Sequence, residues 1–220
     1  MPTSIVLLCP PTDGRYLATA LSVHNPRLGV VTASTATELE SAMERADSGT
    51  RLIGFLTGVV VPPTILGRLA GPAYNFHPAP PVYPGKHPLA FALYDRATCY
   101  GATAHEMTAR TDSGPIIGTV GFSVPENASV DWLRDQAYAA TIRLFLLLSQ
   151  QLATFDGPLP RADLSWGERR CSQRAFDAMR ALPPDLDPAE CERRVTAFNN
   201  RTGNGQPFVT LHGRRFVLEG

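Results

Sequence analysis

The sequence lacks the features of several common functional classes. Its 220 residues include only four cysteines, Cys9, Cys99, Cys171 and Cys191, with no Cys-x-x-Cys pair and no nearby histidine at metal-ligand spacing. We therefore expect free thiols, no disulfide framework and no bound metal. Twenty basic residues balance twenty acidic ones, so the electropositive surface typical of nucleic-acid-binding proteins is not indicated. The composition predicts no nucleic-acid partner.

The N-terminal region also lacks a long apolar run. Its first apolar run covers residues 5–9, which is too short for a signal peptide or a membrane span, and no basic region precedes it. The sequence therefore predicts a cytoplasmic protein with no membrane partner. A chain of this length can bury one core of ordinary size.

Strand and helix patterns alternate along the first half of the chain. Short apolar runs predict buried strands at 5–9, 29–32, 52–56 and 73–76. Helix-forming residues predict helices at 15–24, 35–46, 64–69 and 89–96. The first helix should follow a proline-containing turn at 10–14, and Thr35 or Thr37 should cap the second. This alternation indicates an α/β fold with a Rossmann-like, doubly wound and mostly parallel sheet.

The second half begins with a predicted strand pair at 102–108 and 116–124, followed by a helix at 130–152 capped by Ser129. Beyond residue 155, prolines divide the chain into short pieces that end in a hairpin at 208–218. We therefore predict a catalytic domain at 1–155 and a small C-terminal appendage at 156–220, with short helices and the hairpin.

Three polar side chains suggest a reaction. Asn75 and His77 lie two residues apart, so on a strand they should point to the same side, at the carboxyl end where α/β sheets bind ligands. Asp112 follows His77 by 35 residues in a glycine-containing loop that could close over them. An amide, an imidazole and a carboxylate can together stabilise an oxyanion, transfer a proton and orient the base. The alternative is that Asn75 and Asp112 are turn residues and His77 is structural.

The sequence motifs around these residues resemble those of the folate-dependent formyltransferases. The resemblance rests on an ordered set of motifs: Asn75-Phe76-His77-Pro78, Tyr83-Pro84-Gly85, Gly101-Ala102-Thr103-Ala104-His105 and Asp112-Ser113-Gly114-Pro115-Ile116-Ile117. It covers roughly residues 5–124 and implies N10-formyltetrahydrofolate as the formyl donor. The set as a whole is far more specific than any one of its members.

The resemblance implies a role for each polar residue. Asn75 would hold the formyl oxygen as charge develops, His77 would assist proton transfer or stabilise the tetrahedral intermediate, and Asp112 would orient His77 and a bridging water. The residues implied to border the folate are Leu56, Thr57, Val59, Val60, Arg110 and Thr111. Residues close behind the catalytic strand could line an acceptor pocket, and these are Tyr83, Lys86 and Tyr94. His105 is left outside the catalytic set, because it could be a core histidine, a residue behind the site or a substrate contact.

Two departures from the family pattern narrow the range of possible acceptors. Family members that formylate glycinamide ribonucleotide carry a glycine-rich phosphate loop after the first strand, whereas Pro10 and Pro11 stand here and lack N–H groups. Too few residues follow Phe155 for the barrel with which methionyl-tRNA formyltransferases bind tRNA. The chain looks most like the compact sugar N-formyltransferases, which implies a nucleotide-linked amino sugar as the acceptor.

Other acceptors stay open. An amino acid, a hydroxylamine or water could take the formyl group, and water would make the protein a formyltetrahydrofolate hydrolase. A binding module for folate or a nucleotide sugar that has lost turnover is the non-enzymatic alternative. The terminal hairpin and the long helix at 130–152 are compatible with a homodimer. No motif in the sequence indicates which nucleotide a sugar acceptor would carry. No motif indicates the role of the appendage either.

Overall fold

The computed structural model describes residues 1–199 and 205–218. Within these residues, the strands of the central sheet are β1 (Ser4–Leu8), β2 (Gly29–Ala33), β3 (Thr50–Phe55), β4 (Tyr74–His77), β5 (Cys99–Glu106) and β6 (Ile116–Ser123). A separate hairpin consists of β7 (Phe208–Leu211) and β8 (Arg214–Val217). The helices are α1 (Pro11–Ser22), α2 (Ala36–Glu44), α3 (Pro63–Leu66), α4 (Pro88–Tyr94), α5 (Val130–Thr154), α6 (Gln173–Arg180) and α7 (Pro188–Phe198).

The sheet has the strand order β2-β1-β3-β4-β5-β6. The first four strands pair in parallel, and β5 and β6 add to the edge in antiparallel orientation. The predicted Rossmann-like, mostly parallel sheet is therefore confirmed, and so is the C-terminal hairpin. Ser129 and Thr35 cap α5 and α2 as predicted, since each side chain accepts a backbone N–H bond.

The two faces of the sheet are covered differently. On one face, α1 and α5 pack against a core that includes Leu7, Phe55, Phe76, Leu17 and Phe145. The opposite face carries a smaller core built on α2, with contributions from Leu8, Leu52, Leu39 and Met43. Because β1 and β3 are buried on both faces, their apolar stretches at 5–8 and 52–55 are continuous in the sequence rather than alternating with polar residues.

The start of α1 differs from the prediction. Residues 10–14 do not form a turn before the helix, because α1 begins at Pro11 and includes Asp13 and Gly14. Proline is favoured in the first helical turn, where its missing N–H has no intrahelical partner anyway, and an acidic residue there interacts well with the helix dipole. The proline pair marks the helix start rather than a break.

The C-terminal segment packs on the antiparallel side of the molecule. Phe176 of α6 and Phe198 of α7 join a core with Phe91 of α4 and Tyr100 of β5. The division at residues 155 and 156 stays a prediction. In the described part of the chain, no helix combines the length and apolarity needed to cross a membrane.

Candidate active site

The site lies on one face of β4 and β5. Tyr74 and Phe76 of β4 point into the large core, and Asn75 and His77 therefore point to the other side. Asn75 pairs directly with His105 of β5, so the amide and the imidazole stand on the same face. Strand alternation and cross-strand register thus bring three polar side chains together.

Asp112 reaches this face from the loop between β5 and β6. Its backbone lies in the left-handed region, with a φ of 46°, which aspartate tolerates better than most residues. The side chain is buried, and its Oδ2 accepts the Gly85 N–H at 2.9 Å. Asp112 Oδ2 lies 3.6 Å from His77 Nδ1, and Oδ1 lies 3.3 Å from His105 Nε2. One carboxylate therefore faces two buried imidazoles.

The geometry around His77 defines its tautomer. His77 Nε2 lies 3.1 Å from the Tyr83 carbonyl oxygen, and because a carbonyl only accepts, Nε2 must carry the proton. In the neutral ring, Nδ1 then holds the lone pair and faces Asp112. Burial lowers the pKa of His77, and this effect outweighs the opposing influence of Asp112 and the Tyr83 carbonyl. The ring can take up a proton at Nδ1, next to a carboxylate that would stabilise it.

Asp112 is ionised despite its burial. Burial raises its pKa, but the imidazoles His105 and His77 in their charged forms, together with the Gly85 N–H, lower the pKa below its ordinary value. The distance to His77 Nδ1 exceeds an ordinary hydrogen bond, which agrees with a contact that tightens when the ring is charged.

His105 orients the Asn75 amide. His105 Nδ1 lies 2.8 Å from the Glu106 carbonyl oxygen and donates to it, which makes Nε2 an acceptor in the neutral ring. The Asn75 amide nitrogen lies 3.2 Å from that Nε2 and donates one of its two N–H groups. The second N–H group of Asn75 stays available for an oxygen of a bound substrate.

The residues predicted to border the folate flank this cluster from two sides. Gly54 of β3 pairs with Asn75, so the chain leaving β3 through Leu56, Thr57, Val59 and Val60 passes beside the amide. Leu56 adopts a left-handed conformation with a φ of 49°, and Val60 exposes 67% of its surface. Arg110 and Thr111 lead directly into Asp112 on the other side. Their role in folate binding stays a prediction.

The three predicted acceptor residues have different surroundings. Tyr83 is buried with its ring in the core beside Tyr100, so its carbonyl rather than its ring faces the site. The Tyr94 hydroxyl donates to Glu190 of α7 at 2.7 Å. Lys86 is exposed. Acceptor binding by these residues remains untested.

Sequence reasoning did not assign two residues of the cluster. The sequence leaves His105 open between a core position and a contact with the site, and only its register opposite Asn75 shows that it contacts the site. Trp166 was not considered, yet its ring lies 5.0 Å from the His105 ring and 6.1 Å from the His77 ring. The predicted strand at 102–108 could have placed His105 on one face of the sheet, whereas no local pattern gives its register against β4 or marks Trp166. The described residues contain no cluster of His, Cys, Asp or Glu suited to a metal ion.

Comparison with known proteins identifies this arrangement. A family model described as formyl transferase matches residues 38–146, which include β4, β5 and the Asp112 loop. This segment therefore matches the formyl transferase family. The resemblance inferred from the sequence motifs is therefore confirmed.

A phosphoribosylglycinamide formyltransferase from Mycobacterium tuberculosis is 33% identical to this chain over 96 residues, or 43% of the chain. The match spans only 45% of that relative. A sugar N-formyltransferase from Shewanella has the same fold, with a TM-score of 0.75, 12% identity, and coverage of 98% of this chain and 96% of that one.

A further N-formyltransferase with this fold comes from Helicobacter canadensis, and its structure contains folinic acid and dTDP-3-aminofucose. Its TM-score is 0.68 at 12% identity, with coverage of 97% of this chain and 85% of that one.

Proposed function

We propose that the protein transfers a formyl group from N10-formyltetrahydrofolate to a primary amine, with a nucleotide-linked amino sugar as the acceptor. The observation that carries this proposal is the meeting of Asn75, His77 and Asp112 on one face of β4, within the segment that matches the formyl transferase family. Polar groups buried at this cost usually serve a reaction or a ligand.

Asn75 would stabilise the oxyanion. The amine nitrogen attacks the formyl carbon, and the carbonyl electrons move to oxygen in a tetrahedral intermediate. The free N–H of Asn75 can donate to that oxygen because His105 fixes the orientation of the amide. A preorganised donor of this kind is worth about 3 kcal/mol in the transition state.

His77 would move the proton. The nitrogen that has attacked carries a positive charge and must lose a proton, and His77 Nδ1 can accept it with Asp112 stabilising the imidazolium. The proton then passes to N10 of the folate as the bond from N10 to the formyl carbon breaks, which releases tetrahydrofolate and the formamide. Acid and base assistance of this type contributes about a hundredfold or more to the rate.

An amino sugar as acceptor is supported by the fold and by the N-terminus of α1. Solved structures with this fold include a sugar N-formyltransferase from Shewanella, and the N-formyltransferase from Helicobacter canadensis holds dTDP-3-aminofucose. Where a phosphate loop would follow β1, Pro10 and Pro11 lack N–H groups, and Asp13 is buried in the first turn of α1 and accepts a bond from Tyr138 at 2.6 Å. An acidic side chain at this helix end disfavours a phosphate.

A second candidate acceptor is glycinamide ribonucleotide. The relative from Mycobacterium tuberculosis is named a phosphoribosylglycinamide formyltransferase, which favours this acceptor. The start of α1 argues against this acceptor, since Pro10 and Pro11 lack N–H groups and the acidic Asp13 is buried in the first turn. A cytoplasmic location and a homodimer also belong to the proposal, and light scattering in solution tests the dimer.

The experiment is a measurement of tetrahydrofolate release from N10-formyltetrahydrofolate. The acceptor panel contains amino-sugar nucleotides, glycinamide ribonucleotide, amino acids, hydroxylamine and water alone. We expect release that depends on an amino-sugar nucleotide and that falls by about a hundredfold or more in Asn75→Ala. Release in water alone would indicate a hydrolase, and release with glycinamide ribonucleotide would select the second candidate. Binding of folate without turnover across the panel would support a binding module.

A further inference from the structure

The segment that follows α5 crosses the active site. Residues 166–171, which we call the brace, contain no helix and only one isolated bridge, between Gly85 and Cys171. The brace is nevertheless fixed to the loop at residues 81–86 by a series of backbone bonds. Gly167 N–H donates to Pro81 O at 2.9 Å, Cys171 N–H donates to Pro84 O at 2.8 Å, and Lys86 N–H donates to Cys171 O at 2.9 Å.

The loop that the brace holds also holds both ionisable catalytic groups. The Tyr83 carbonyl accepts from His77, and the Gly85 N–H donates to Asp112. A β-carbon at Gly85 would lie 2.0 Å from Cys171 O, so the close approach of loop and brace requires glycine there. Any displacement of the brace is thus transmitted to the separation of His77 and Asp112.

Trp166 connects the brace to the second catalytic loop. Its indole N–H donates to Gly114 O at 2.8 Å, two residues after Asp112. The indole ring meets the His105 ring edge to face at 87° and the His77 ring at 64°. Together with Asp112 and Arg170, the ring lines a cavity of about 260 Å³. The indole is therefore a wall between the cavity and the two imidazoles.

We propose that the brace is an integral part of the active site and that Trp166 is a positioning residue, which holds the loops of His77 and Asp112 in their catalytic arrangement and keeps water from the imidazoles. This inference rests on the proposed formyl transfer. Its geometric part makes a claim about His77 that is independent of any reaction.

Water exclusion gives that claim a measurable consequence. The titratable groups that influence His77 are Asp112 and His105, while the Cys171 thiol in the brace stays neutral because burial raises its pKa to about 11. Burial is the largest cause of the lowered pKa of His77. Removing the indole would admit water and thereby move the pKa of His77 upward, towards its ordinary value.

The test compares Trp166→Ala and Trp166→Phe with the parent protein, and Trp132→Phe serves as the matched control because Trp132 packs on Phe122. Histidine ring signals are followed by NMR against pH, with the His77 signal assigned through His77→Gln. We expect the His77 midpoint to rise in Trp166→Ala and to stay unchanged in Trp132→Phe. In Trp166→Phe the wall is kept and only the bond to Gly114 is lost, so kcat should fall about fivefold with little change in KM.

In Trp166→Ala, kcat should fall at least about thirtyfold while the KM for the amine changes little, because positioning rather than binding is lost. Unchanged kcat in both variants, or an unchanged His77 midpoint in Trp166→Ala, would overturn the inference. If Trp166→Ala does not fold, parental kcat in Trp166→Phe has the same meaning. Failure of formyl transfer in the parent together with a raised His77 midpoint would reject the proposed function and retain the brace.

Discussion

The two faces of β4 are built from the same four residues but are stabilised in different ways. Tyr74 and Phe76 point into the large core, where the Phe76 ring lies 5.1 Å from the Phe145 ring of α5. Asn75 and His77 point to the other side, where Asn75 bonds to His105 of β5 and His77 bonds to the Tyr83 carbonyl in the loop that the brace holds. An apolar face needs only a packed helix, whereas a polar face needs a partner for each donor and acceptor. Stability and chemistry are therefore separated by one residue along the strand.

The strongest test of this separation is Phe76→Ala. Phe76 is almost fully buried among Phe55 and Phe145, so its removal leaves a cavity in the core. The free energy of unfolding should fall by about 3–5 kcal/mol in urea denaturation. The control is Phe155→Ala, since Phe155 is 44% exposed and its loss should cost far less. An equal loss in both variants would show that this face does not dominate stability.

Asn75→Ala should produce the opposite pattern. Losing the oxyanion donor should lower turnover by about a hundredfold to a thousandfold, with the thermal midpoint within a few degrees of the parent. Turnover is measured as tetrahydrofolate release, and Asn127→Ala in an exposed loop is the matched control. Near-normal turnover in Asn75→Ala would contradict the proposed chemistry.

The pH dependence of activity and stability also tests the role of the polar face of β4. Because burial lowers the pKa of His77, the ring stays neutral below the usual histidine range, and kcat/KM measured with an amine of low pKa should persist there before falling about tenfold per unit. The unfolded chain binds this proton more readily than the folded one, so stability should also decrease as pH falls through the pKa of folded His77. In His77→Gln, the pH-dependent loss of stability that comes from His77 should vanish. A stability profile identical to that of the parent would show that His77 is not the group responsible.

The smallest expected effect concerns the N-terminal cap of α5. Ser129 Oγ accepts the Trp132 N–H at 3.1 Å, and Ser129→Ala should lower the free energy of unfolding by about 1 kcal/mol. Turnover at a temperature well below the unfolding transition should be unchanged, because α5 packs on the apolar face. Ser129→Asp retains a capping oxygen and should restore the stability. A turnover defect in Ser129→Ala would show that the two faces are coupled.

Much of this arrangement could be predicted from local sequence. The apolar runs of β1 and β3, the cap at Ser129 and the spacing of Asn75 and His77 depend on near neighbours in the chain, and the structure places all of them as expected. The sequence predicts the start of α1 too late because proline is equally compatible with a turn and with a first helical turn. Such ambiguity concerns element boundaries more than element types.

The sequence by itself determined the alternation of strands and helices, the motifs of the formyl transferase family and the presence of an amide, an imidazole and a carboxylate. Only the tertiary structure decided that His105 orients Asn75, that the Tyr83 ring is buried while its carbonyl holds His77, and that Trp166 reaches both imidazoles. The reason is physical. Periodicity and caps arise from residues a few positions apart, whereas these contacts depend on strand register and on a segment about 90 residues from β4.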